Sequence, residues 1–142
     1  MVSLKGLRIL FADDETYSMR PTIEALENAG AQVDLVTDGT EVLEYMRQHK
    51  DDPYDVLILD IMMPGGTEVP TPDGGRSTGV EVYRRMQKEK IKIPPVVSTT
   101  VTDNSILDVF LRDEKIPVIQ KPYRFEELER QIQKVLAERE RR

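Results

Sequence analysis

The stretch Asp55-Val56-Leu57-Ile58-Leu59-Asp60-Ile61-Met62-Met63-Pro64 decides the fold. Four consecutive apolar residues, without the polar alternation of a half-exposed strand, predict a strand covered on both faces, as in a parallel sheet. The run then stops on a carboxylate. A charged group at the end of a buried strand needs a reason, and the rest of the chain supplies the context.

Outward from this run the same rhythm repeats. Leu7–Ala12 (LRILFA) predicts a strand, and Met19, Ile23 and Leu26 at helical spacing predict a helix that starts near Thr16 or Tyr17 and stops at Gly30. Pro21 is assigned to the tolerant start of that helix, where amides lack intrahelical acceptors. Val33–Thr37 reads as a strand, Val42, Leu43 and Met46 as a helix face, and Val80, Val82, Tyr83 and Met86 as another. Val96–Thr99, Ile106–Leu111, Pro117–Gln120 and Phe125 to about Glu138 continue as strand, helix, strand and helix. Strict alternation predicts an α/β fold: a doubly wound, five-stranded parallel sheet with helices on both faces. The one irregularity, Gly65–Gly79 (GGTEVPTPDGGRSTG), is too polar for a core and too rich in breakers for a helix, so it reads as a long loop.

With 142 residues and 39% apolar content, the chain suits a single domain spanning 1–142. It has no cysteine, which excludes a disulfide framework and thiolate metal sites. The net charge of −6 disfavours a broad phosphate-backbone surface, so proteins are expected as partners rather than nucleic acid. No segment approaches the roughly 18 apolar residues of a membrane span, and the start lacks a signal-peptide pattern. The expectation is a cytoplasmic protein without membrane insertion.

In open α/β sheets, ligands bind beyond the carboxyl ends of the strands. There the sequence places Asp13-Asp14-Glu15, Asp60, Thr99-Thr100 and Lys121-Pro122. Clustered carboxylates repel unless a cation compensates, and Mg²⁺ suits hard oxygen ligands. A carboxylate nucleophile, a divalent ion, a lysine and a hydroxyl donor together suit receipt of a phosphoryl group. Each residue also has a plainer reading. Asp13 or Asp14 could cap the first helix, Thr99 or Thr100 could be an ordinary strand residue, Lys121 a solvated lysine, and Asp60 a turn residue. Their joint arrival at four strand ends favours the functional reading. His49 is expected to stabilise a helix terminus, and Met62 and Met63 to be packing residues.

ILFADDE, LILDIMMP, PVVSTTV and QKPY, in this order, resemble the CheY-like receiver domain of two-component response regulators over nearly the whole chain. The resemblance implies a flavodoxin-like fold with strand order 2-1-3-4-5. It implies that Asp60 is phosphorylated by a sensor histidine kinase or a phosphotransfer protein, and that Asp13, Asp14, Asp60 and the Met62 backbone carbonyl hold Mg²⁺. Thr100 takes the switch hydroxyl position, Lys121 contacts the phosphoryl oxygens, and the Lys121-Pro122 bond is cis. Output would be phosphorylation-dependent binding of a downstream effector, read at the surface of the fourth helix, fifth strand and fifth helix, which could also support a homodimer. The chain's end at Arg142, after AERERR, leaves no room for an output domain, so a stand-alone regulator is expected.

Several residues depart from the family pattern. The glycine usually found shortly after the Met-Pro corresponds to Gly79, so an insertion occupies about 66–78 at the crevice rim. Val101 replaces a commonly small residue and is expected to narrow the pocket, while Val118 replaces an inward-turning aromatic. Met62 and Thr102 occupy the positions that tune self-dephosphorylation, and neither orients water, so a long-lived phosphorylated state is expected. Three other functions compete. A phosphorylation-independent receiver-like interaction module is the main alternative. A haloacid-dehalogenase-type phosphohydrolase would need an acid where Met62 stands. A flavodoxin would need a first loop without Asp13-Asp14-Glu15, which would repel a phosphate.

Overall fold

The computed structural model describes residues 3–140; Met1, Val2, Arg141 and Arg142, the outer limits of the expected domain, lie outside the described residues. The elements run β1 (Arg8–Ala12), α1 (Thr16–Asn28), β2 (Gln32–Val36), α2 (Gly39–Gln48), β3 (Val56–Leu59), α3 (Thr78–Lys88), β4 (Pro95–Thr99), α4 (Asn104–Leu111), β5 (Val118–Gln120) and α5 (Phe125–Glu140). The strands form one parallel sheet in the order β2-β1-β3-β4-β5. The expected fold is observed, with element limits shifted by one or two residues.

β3 reads as an unbroken apolar run because each of its faces meets a different layer. Leu57 and Leu59 pack with Leu10, Ala12 and Val97 against α2, α3 and α4, through Val42, Leu43, Met46, Val82, Met86 and Phe110. Val56 and Ile58 pack with Ile9, Phe11 and Val96 against Leu26 of α1 and Leu128, Ile132, Val135 and Leu136 of α5. All four β3 residues are fully buried. Side chains alternate between sheet faces, so consecutive residues serve opposite layers and none can be polar.

The helix ends follow their sequence signals. Gly30, at φ +99°, ends α1 with paired bonds from Gly30 N–H to the Glu27 carbonyl and from Ala31 N–H to the Leu26 carbonyl. Asp38 caps α2 by accepting from the Glu41 amide at 2.8 Å, and His49 closes its far end, with Nδ1 2.8 Å from the Tyr45 carbonyl. Pro21 departs from expectation. It lies beyond the first turn of α1, so the Tyr17 carbonyl loses the amide that would otherwise pair with it. The helix continues through this point along an exposed stretch.

Candidate functional site

The site is assembled by the pairing of the central strands. β1 and β3 pair in register, with Ala12 beside Leu59, so the next residues on each strand, Asp13 and Asp60, emerge side by side. The Asp60 amide donates to the Ala12 carbonyl at 3.0 Å, and the Asp13 amide to the Val36 carbonyl at 3.0 Å, which extends both ladders to the acids. Lys121, just past β5, is tied to β4 by its amide's bond to the Thr99 carbonyl at 2.8 Å. The Lys121-Pro122 bond is cis, as expected.

The Lys121 ammonium donates to Asp13 Oδ2 at 2.6 Å and Asp60 Oδ2 at 3.2 Å, and stands 3.6 Å from Glu15 Oε1. Asp13 is fully buried and Asp60 is 2% exposed. Burial pushes the Asp60 carboxyl up to about 6; the Lys121 charge opposes the rise and Asp13 adds to it. At neutral pH the group is therefore mostly a carboxylate, though a poorly solvated one. Burial also acts against the Lys121 ammonium, but its bonds to Asp13 and Asp60 outweigh that cost and hold its pKa above the ordinary lysine value. Burial likewise raises the pKa of Asp14.

Asp14, Glu15, Asp60, Met62 and Thr100 line a cavity of about 690 Å³, whose remaining wall is Met63–Gly66 with Thr71, Gly74 and Gly75. Asp14, Glu15, Asp60 and Thr100 thus reach one cavity, and Asp13 and Lys121 join it through the lysine's bond to Asp60. The two threonines divide as the sequence count from Pro95 suggests. Thr99 is buried and its hydroxyl accepts from the Val101 amide at 3.0 Å, whereas Thr100 faces the cavity. Neither Asp13 nor Asp14 caps α1: its N-cap is Glu15, and Asp13 Oδ1 instead accepts the Glu15 amide at 2.9 Å.

Some expectations need correction. Met62 is not a packing residue: its side chain is 41% exposed at the cavity, while Met63 is buried as expected. Val101 does not narrow the cavity, because its side chain is turned into the hydrophobic layer with Leu107 and Phe110. Val118 is partly buried against that same layer. Glu15, expected in the crevice but not among the Mg²⁺ ligands, joins them: one oxygen each from Asp13, Glu15 and Asp60 lie within 4.8 Å of one another, a group that does not include Asp14. Three hard carboxylate donors so close together, beside a cavity open to solvent, fit a Mg²⁺ ion that keeps several waters. Gly79 cannot carry a side chain, since a Cβ there would fall 2.5 Å from the Asp60 carbonyl oxygen and 2.7 Å from Ile61 Cα. This close approach of α3 to the β3 end is consistent with its match to the family glycine.

The response regulator receiver domain family matches residues 9–133, a span that runs from within β1 into α5 and includes every group at the cavity. The chain belongs to this family. Among curated proteins, this receiver domain is 31% identical over 97 residues to histidine protein kinase 1 of Candida albicans, covering 66% of this chain but 4% of the kinase. It is 26% identical over 130 residues to an uncharacterised response regulatory protein of Vibrio cholerae, covering 92% of this chain and 48% of that protein. The receiver domain thus spans from a few per cent to about half of the length of these relatives. Its fold matches a CheY-like receiver domain structure from Methanospirillum hungatei at a TM-score of 0.76, with 22% identity, covering 96% of this chain and 98% of that one. A Francisella receiver domain matches at a TM-score of 0.73 with 19% identity, covering 94% and 99%. Among the described residues, no helix is long and apolar enough to cross a membrane.

Proposed function

We propose that this receiver domain accepts a phosphoryl group on Asp60 and signals by binding a protein partner in the phosphorylated state. The observation that carries the reading is a nearly inaccessible carboxylate at the end of the central strand, held 3.2 Å from a buried lysine and lining a cavity that opens to solvent. A structural aspartate does not need such an environment. A nucleophile does, because partial desolvation leaves its oxygen reactive while the fixed strand keeps it in place.

In the transfer, an Asp60 carboxylate oxygen forms the new O–P bond as the donor's bond to phosphorus breaks. The donor's leaving group departs with that electron pair; from phosphohistidine it is an imidazole, which then takes a proton. Lys121, freed from its contact with Asp60, would pair with a phosphoryl oxygen, and the Thr100 hydroxyl would donate to another. By the family resemblance Asp13, Asp14, Asp60 and the Met62 carbonyl would hold Mg²⁺, and Glu15 is within reach, with an oxygen within 4.8 Å of those of Asp13 and Asp60. When bound, the ion would neutralise charge on the phosphoryl oxygens.

A histidine kinase or phosphotransfer protein is the proposed donor, which the similarity to a named histidine protein kinase supports. The proposed setting is the cytoplasm. The proposed output surface is α4-β5-α5, where Leu111 presents an apolar side chain that is 52% exposed, and a homodimer could use the same face. Intact-mass analysis after incubation with phosphoramidate tests the reading. A Mg²⁺-dependent gain of one phosphoryl group by the wild type and none by Asp60→Asn is expected. No gain by the wild type would overturn the reading in favour of a phosphorylation-independent interaction module.

A further inference from the structure

The segment 66–78 differs from an ordinary long loop because it is fastened to the rest of the domain near both of its ends. At its start, the Gly65 carbonyl accepts from both the amide and the hydroxyl of Thr40, at 2.9 and 2.8 Å. The same Thr40 hydroxyl accepts from the Glu68 amide at 2.8 Å, and Val69 is buried over Gly39. At the same end, Arg47 of α2 forks onto both Glu68 oxygens at 2.9 and 2.8 Å and onto both Glu89 oxygens at 2.8 and 2.7 Å, while Arg85 of α3 stands 3.5 Å from Glu68. At its end, the Met63 amide donates to the Gly75 carbonyl at 3.2 Å, and Ser77 Oγ donates to Asp73 at 2.6 Å. Long connections are usually the mobile part of a domain, but this one is pinned to α2, α3 and the loop after Asp60.

This pinned segment supplies Thr71, Gly74 and Gly75 to the wall of the cavity that leads to Asp60. Asp60 is 2% exposed, and every donor must enter through this cavity. A small phosphodonor fits inside about 690 Å³. A protein-borne phosphohistidine does not fit in the same way, because its imidazole extends only a short way from its own backbone and the carrier must rest on the rim.

We propose that residues 66–78 form a fixed wall that selects among protein phosphodonors by steric contact at Thr71–Gly75, with Thr40 and the Arg47–Glu68 pair holding it in position. The proposal rests on the receiver reading above and adds donor choice to it. Specificity by exclusion needs a rigid obstacle, since a mobile one would yield to each donor at little cost.

The test compares phosphorylation rates from phosphoramidate with those from a panel of purified phosphorylated histidine phosphotransfer domains of differing surface sequence. Three proteins are compared: the wild type, a variant with 67–77 replaced by a short Gly-Ser link, and Thr71→Arg, which enlarges an exposed part of the wall and leaves the buried attachments untouched. The ratio of protein-donor to phosphoramidate rate is the readout. The shortened variant is expected to gain about tenfold or more in that ratio for domains the wild type refuses, and Thr71→Arg to lose a similar factor for those it accepts. Should the shortened variant fail to fold, Thr71→Arg alone decides. Equal ratios in wild type and Thr71→Arg across the panel would overturn the wall, whereas absence of transfer from phosphoramidate to the wild type would overturn the receiver reading beneath it.

Discussion

Lys121 at the cavity and Arg47 on the helical surface each stand between two carboxylates, and burial makes them opposites. At the cavity, Lys121 bridges Asp13 and Asp60 with all three side chains at most 7% exposed, and the Asp60 carboxyl is pushed up to about 6. On the helical surface, Arg47 bridges Glu68 and Glu89 with side chains about one-third exposed, and the hydrogen bonds from Arg47 hold both glutamates below the usual carboxylate range. The local arithmetic of charge is the same. In the first place desolvation exceeds the attraction of the lysine, and in the second water still shares the load, so attraction wins. The first arrangement keeps a carboxylate poorly stabilised and reactive, and the second holds a loop.

The sharpest way to break this comparison is to remove each cation in turn. Lys121→Met leaves Asp13 and Asp60 buried without a counter-charge and is expected to cost about 3–5 kcal/mol at pH 7.5 in chelator, measured by urea unfolding. Losing the lysine raises the Asp60 pKa further, so the carboxyl is neutral by about pH 5 and the cost should shrink there. An equal cost at both pH values would show that the lysine stem, rather than its charge, is what matters.

Asp60→Asn gives a smaller effect of opposite sign. The folded-state pKa of Asp60 lies above its unfolded value, so ionising it destabilises the fold, and wild-type stability falls as pH rises from about 4 through about 6. The asparagine variant is therefore expected to be more stable by roughly 1–3 kcal/mol at pH 7.5 without metal, with the advantage fading below about pH 6 and gone near pH 4. A variant less stable than wild type at pH 7.5 would mean that the bond to Lys121 outweighs desolvation.

The smallest effect belongs to the surface. Arg47→Ala is expected to cost about 1 kcal/mol or less, and the difference should fade in 1 M salt, where screening acts within about 3 Å. A cost that persists in high salt would show that the guanidinium is held by geometry more than by charge.

The sheet and its strand ends were legible in the sequence because each signal is local. The apolar run at Val56–Leu59, the acid that follows it, and Lys121-Pro122 after a short strand all stand within a few residues of the feature they mark. What the sequence concealed depends on distant partners. Arg47 meets Glu68 and Glu89 across separations of 21 and 42 residues, and no periodicity marks them. Val69 was hidden by the average polarity of its segment, although one apolar residue suffices to anchor a loop over Gly39. Glu15 is legible as part of the acidic strand end, but its approach to Lys121 depends on the turn into α1. Pro21 shows the reverse: the sequence suggests the first turn, and the helix tolerates it further in.

The register of β1 on β3, with Ala12 beside Leu59, carries a consequence for quality control during synthesis. Asp13, Asp60 and Lys121 are separated by 61 to 108 residues along the chain wherever the lysine bonds an acid, and they meet only once β1, β3, β4 and β5 have all paired. A nascent or misregistered chain has the same carboxylates in water, where they are ordinary. On the proposed function, competence to take up phosphate is therefore a property of the finished fold, and labelling of Asp60 would count completed molecules in a refolding mixture.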